Sequence, residues 1–108
     1  MSYKVQTISV FERQAKRLLK KFPSFKSELA ILIQDLKKNP LLGTDLGNNC
    51  FKIRLAIASK GKGKSGGARV ITHFTISNSS VYLLTIYDKS ERDNISDKEL
   101  NELLAFIP

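Results

Sequence analysis

Three strand-like runs follow one another between Phe51 and Lys89 with little chain between them. The first is Phe51-Lys52-Ile53-Arg54-Leu55-Ala56-Ile57 and the second is Ala68-Arg69-Val70-Ile71-Thr72-His73-Phe74. The third is Val81-Tyr82-Leu83-Leu84-Thr85-Ile86-Tyr87-Asp88-Lys89. A parallel pairing needs a crossover of a dozen or more residues. The links here are a lysine–glycine loop at 60–67 and a shorter Asn-Ser turn, so the runs are predicted to fold as an antiparallel meander. Side chains alternate faces along a strand. Phe51, Ile53, Leu55 and Ile57 then share one face, and Lys52 and Arg54 the other. On the second run Val70, Thr72, Phe74 and Ile76 oppose Arg69, Ile71 and His73. The third run is apolar on both sides, as an interior strand is.

The rest of the chain supplies cover for the apolar face. Val5 and Ile8 mark a short first strand. Ser9 and Glu12 stand at capping-box spacing, which starts a helix near Val10. Phe11, Ala15, Leu18, Leu19 and Phe22 recur at helical spacing, with Arg13, Lys16, Arg17, Lys20 and Lys21 on the opposite face. Pro23-Ser24 starts a second helix, whose stripe is Phe25, Leu29, Leu32, Ile33 and Leu36. Asn39-Pro40 ends it, after Lys37 and Lys38 in a last turn that favours cations. Residues 41–49 read as a loop. Ser96 and Glu99 form a second capping box, before a short helix with Leu100, Leu103, Leu104 and Ile107 inward. The predicted fold is α+β: a small antiparallel sheet in β-α-α-β-β-β-α order, with the helical hairpin packed on one face. With 108 residues, residues 1–108 make one domain.

Charge narrows the partners. No acidic residue occurs between Asp45 and Asp88, while Lys52, Arg54, Lys60, Lys62, Lys64 and Arg69 all do. The net charge is +8. That sign favours nucleic acid over a small acidic metabolite. The single cysteine, Cys50, leaves no internal disulfide and fits a reducing compartment. No signal-peptide pattern and no apolar run near ~18 residues is present, so the expected setting is the cytoplasm, without a membrane.

The loop at 58–65 resembles a P-loop with Ala58 replacing its first glycine. A P-loop, however, opens a helix whose N-terminus holds phosphates. Here Gly66-Gly67 and a β-branched strand follow, so that reading is rejected. Lys60, Lys62 and Lys64 are either a solvated hairpin tip or an RNA-backbone contact. Arg69 faces the region of Lys52 and Arg54. Like charges opposed across strands destabilise a sheet; an anion bridging them offsets this, as would Glu91 or another loop carboxylate beside Arg69. His73 is either structural or catalytic. Tyr87 is either rim packing or a platform for a base. Lys89 is a solvated strand end or a phosphate ligand.

No carboxylate pair, Ser/His/Asp order or metal-ligand cluster is visible, so no cofactor is expected and the chemistry falls to cations. RNA carries its own nucleophile, the 2′-hydroxyl. Cations stabilise the charged phosphorane, and a lysine crowded by other cations moves toward general acid–base work.

The run from Gly61 to Ile71, followed by Leu84-Thr85-Ile86-Tyr87-Asp88-Lys89-Ser90-Glu91, resembles the RelE/ParE toxin superfamily, and within it the HigB-type RelE-like toxins. The resemblance extends through Phe11-Glu12-Arg13-Gln14-Ala15-Lys16-Arg17-Leu18 and Ile95-Ser96-Asp97-Lys98-Glu99-Leu100. It implies the toxin of a type II toxin–antitoxin pair, a ribosome-dependent mRNA endonuclease silenced by an antitoxin protein. The family's basic pair falls on Lys52 and Arg54, its strand-opening arginine on Arg69, and its lysine after the last strand on Lys89. Two positions depart from it: Ser90 stands where the family has an arginine, and Ser96 where it has a tyrosine. That role then passes to Tyr87 or His73, or is absent. Two rivals share these features. One is a ParE-like inhibitor of DNA gyrase, and the other a nucleic-acid-binding module without catalysis.

Overall fold

The computed structural model describes residues 2–61, 63–92 and 94–108, with the side chains of 64 and 65 also outside the description. The elements are β1 (Lys4–Thr7), α1 (Ser9–Lys21), α2 (Phe25–Lys38), β2 (Thr44–Gly47), β3 (Cys50–Leu55), a one-turn α3 (Gly63–Gly66), β4 (Ala68–Thr75), β5 (Ser80–Asp88) and α4 (Asp97–Leu104). The five strands form one sheet in the order β1-β5-β4-β3-β2. The predicted antiparallel meander is β3-β4-β5.

Two features enlarge the predicted sheet. β1 pairs in parallel with β5, so the sheet is mixed. β2 forms where a loop was expected, pairing Thr44 with Lys52 and Asp45 with Phe51 before the register shifts. Its four residues include a glycine and carry no apolar alternation, which is why the sequence hides it. β5 lies between β1 and β4 and is buried along its whole length.

The helical hairpin follows its sequence stripes. Phe11, Ala15 and Leu18 of α1 and Phe25, Leu32 and Leu36 of α2 are buried. Leu19, expected in the stripe, stays 40% exposed. Helix α1 starts at Ser9 without a side-chain cap, and the Glu12 carboxylate instead accepts from the Thr7 hydroxyl. Gln14 closes the edge of β5 where β1 has ended. Its Oε1 accepts from Ile86 N at 3.0 Å and Thr85 Oγ1 at 2.8 Å, which satisfies a buried backbone donor. The second predicted cap holds: Ser96 Oγ accepts from Glu99 N at 3.1 Å.

The other sheet face departs from expectation. The alternation predicts it open and basic, yet Ile71 is fully buried and Arg69 is only 2% exposed. Side chains from beyond β5 reach it, with Arg92 stacked on Tyr87 and Asn94 bonded to Lys52. Alternation assigns a face but not what covers it.

The 60–67 loop is anchored at both ends. The Lys60 ammonium pairs with Asp88 in a buried ion pair, the two side chains 9% and 3% exposed. At Gly67 a Cβ would come within 2.1 Å of the Leu55 carbonyl oxygen, so only glycine lets the chain enter β4 there.

Candidate functional site

Strand register assembles the basic residues. Arg54 pairs with Arg69 across β3 and β4, and Arg69 pairs with Tyr87 across β4 and β5. Opposed residues project from one face with Cβ atoms about 4.5–5.5 Å apart. Arg54, Arg69 and Tyr87 therefore make one row across three strands. Lys52 stands on the same face, two residues along from Arg54 and thus about 7 Å away.

The members differ in access. Arg54 is exposed and Lys52 half-buried. Arg69 lies beneath the surface, its Nη1 donating to the Ala68 carbonyl at 3.0 Å. Tyr87 is 7% exposed. Lys89 follows β5 directly and is half-buried, its backbone N–H donating to the Gly67 carbonyl at 2.9 Å.

Arg92 roofs the row, and the sequence reading missed it. Its guanidinium lies 4.6 Å from the Tyr87 ring centroid. Nη1 and Nη2 donate to the two Glu99 oxygens at 3.0 and 2.6 Å, and Nη2 also to the Asn94 carbonyl at 3.1 Å. The bonds to Glu99 hold Arg92 even more firmly protonated than usual, against the opposing effect of burial. Lys52 Nζ donates to Asn94 Oδ1 at 3.4 Å. Glu99 reads in sequence only as a cap partner. Nothing at a spacing of seven residues pointed to Arg92.

Lys60 departs from its expected role as an exposed RNA contact. It is held against Asp88, with its ammonium 5.7 Å from the Phe22 ring centroid. Burial works to raise the Asp88 pKa. The hydrogen bonds from Lys60 and from the Ser90 N–H and hydroxyl outweigh it, and the carboxyl sits below its ordinary value. Ser90, the departure from the arginine pattern, is thus a ligand of Asp88, at 2.9 Å from N and 2.8 Å from Oγ. Lys62 and the side chain of Lys64 lie outside the described residues.

His73 is not brought to the row. It is four residues along β4 from Arg69, about 13 Å, and pairs instead with Cys50 and Tyr82. Its Nδ1 is 3.5 Å from the Cys50 sulfur. Burial lowers its pKa, with a backbone hydrogen bond at Asn48 opposing. Burial, assisted by the Asp45 charge, pushes the Cys50 thiol up to about 11, which makes it a poor nucleophile.

Glu91, weighed as a neutraliser of Arg69, stands beside Arg17 at 3.8 Å. An open groove of about 440 Å³ runs between α2 and β3, lined by Glu28, Leu32, Asp35, Ile53 and Leu55 among others; of the row it touches only Arg54. Among the described residues no helix is long and apolar enough to cross a membrane.

Residues 4–106 match a family model described as the RelE toxin of the RelE / RelB toxin–antitoxin system. Two solved structures share the fold. A free-state Escherichia coli toxin RelE carrying two arginine-to-alanine substitutions matches with a TM-score of 0.63 and 15% identity over 100% of both chains. The Mycobacterium tuberculosis toxin–antitoxin complex RelBE2 matches at 0.60 and 17% identity, over 82% of this chain and 99% of that one.

Proposed function

The chain belongs to the RelE toxin family, and from that premise we propose that it is a ribosome-dependent mRNA endonuclease. The observation that carries the reading is the pairing of Arg54 with Arg69 across β3 and β4, which puts two arginines on the face that also holds Lys52. Opposed like charges are unfavourable in a sheet. A phosphate at Arg54 lies in the field of both arginines.

In this reading the substrate's 2′-hydroxyl attacks the adjacent phosphorus, and the bond to the 5′-oxygen breaks. A cyclic phosphate remains on one fragment and a 5′-hydroxyl on the other. Arg54, the exposed member, grips the non-bridging oxygens through its planar fork. Arg69 adds positive field from directly behind, where a low dielectric strengthens it. Lys89 positions the phosphate from the end of β5. A guanidinium keeps its proton in proteins, so Lys52 is the proton carrier of the basic pair. Tyr87 supports the row from its far end. His73 and Lys60 take no part; Lys62 and Lys64 belong to the loop that follows the RNA backbone.

The partners proposed are ribosome-bound mRNA and a small antitoxin protein, as in the RelBE2 complex, in the cytoplasm. The resemblance of the run from Gly61 to Ile71 supports reading it as a HigB-type member. The test is induction in cells followed by mapping of mRNA ends. Breaks phased with codons support the proposal. Intact messages with DNA-damage signalling would replace it with gyrase inhibition, and salt-sensitive binding without toxicity with a non-catalytic module.

A further inference from the structure

We propose that the outer face of α1 is a second RNA surface, which grips the phosphate backbone of folded ribosomal RNA. The proposal rests on the ribosome-dependent reading and names the surface that docks the protein there.

Arg13, Lys16, Arg17, Lys20 and Lys21 are all exposed. At 3.6 residues per turn they fall on one side of the helix, and from Arg13 to Lys21 they span about 12 Å. The buried stripe of Phe11, Ala15 and Leu18 fixes that side outward. Repulsion between neighbours three and four residues apart is unfavourable. Among the described residues the carboxylates do little to offset it. Glu12, the one acid of the helix, bonds Thr7, and Glu91 approaches Arg17 only to 3.8 Å. Between Arg13, Gln14 and Arg17 lies an open cleft of about 270 Å³. Gln14, which also lines this cleft, turns its oxygen to β5.

The surface fits folded rather than single-stranded RNA. Single strands are held by cations interleaved with aromatic platforms. The one aromatic of α1, Phe11, is 2% exposed. Helical RNA presents phosphates and 2′-hydroxyls instead, which cations and amides read. Through Glu91 the ridge adjoins the segment carrying Lys89. A message on the sheet and a structured RNA on α1 then sit at adjoining surfaces.

The test compares the full chain with the variant Arg13→Gln/Lys16→Gln/Arg17→Gln/Lys20→Gln in sedimentation with purified ribosomes over a salt series, after thermal melts show that both fold. Each phosphate contact contributes about 0.7–0.9 to the slope of log affinity against log salt. The expected result is a slope shallower by roughly three, with affinity down at least about tenfold. A variant that binds with the wild-type slope overturns the ridge while cleavage by the wild type still upholds the nuclease. Loss of antitoxin binding alone, with ribosome binding intact, also overturns it. A wild type that neither binds nor cuts on ribosomes removes both proposals.

Discussion

Arg54 and Arg69 stand directly opposite each other across β3 and β4, one exposed and the other buried. Arg54→Ala should lower mRNA cleavage by about 10²–10³-fold, the usual effect of removing one donor to a charged transition state. Its stability should stay within about 0.5 kcal/mol of wild type, because the side chain lost is an exposed one. Cleavage assays paired with urea titrations check both halves.

Lys60 and Asp88 are a buried ion pair, so removing one partner strands the other. Lys60→Ala should destabilise by about 3–5 kcal/mol, whereas Lys60→Met/Asp88→Leu should be far milder. The pH dependence follows from the depressed Asp88 pKa. Its stabilisation is complete above the unfolded value of about 3.9 and is lost as pH falls through the lower folded value. Denaturation at pH 7 and at pH 3 should show the Lys60→Ala penalty shrinking in acid.

These two pairs also mark what the sequence could reveal. Alternation placed Lys52, Arg54 and Arg69 on one face, and the register agrees. It could not show that the face is roofed, because the roof comes from Arg92, Asn94 and Glu99 beyond the last strand. Lys60 looked like its loop neighbours because Asp88 is 28 residues away in sequence. The helix stripes were legible, except where the 40% exposure of Leu19 shows that apolar periodicity overstates the buried arc.

Arg92 ties α4 to the sheet through Glu99 and the Tyr87 ring. Arg92→Ala should destabilise by about 1 kcal/mol, since the ion pair is partly exposed and the cation–π contact modest. Amide exchange should quicken in α4 before it does in β5.

Cys50 and His73 face each other with both charged forms disfavoured. The thiol, pushed up to about 11, should resist alkylation at pH 8 in the folded protein and react once urea unfolds it. His73 should titrate below its ordinary 6.5 by NMR. The neutral ring's contribution is then complete above about pH 6.5 and declines as pH falls through the folded pKa.

Gly67 has no room for a methyl group beside the Leu55 carbonyl oxygen. Gly67→Ala should cost at least about 1–3 kcal/mol by overpacking, read as a lower melting temperature.

The most direct measurement uses purified ribosomes programmed with a single message and treated with the wild-type chain, Arg54→Ala or Arg69→Ala, each shown to be folded. Primer extension should find new 5′ ends inside the translated frame with the wild type alone, carrying 5′-hydroxyls. Equal cutting by a folded Arg54→Ala variant, or an uncut message with the wild type, would contradict the assignment of the basic row to phosphate chemistry.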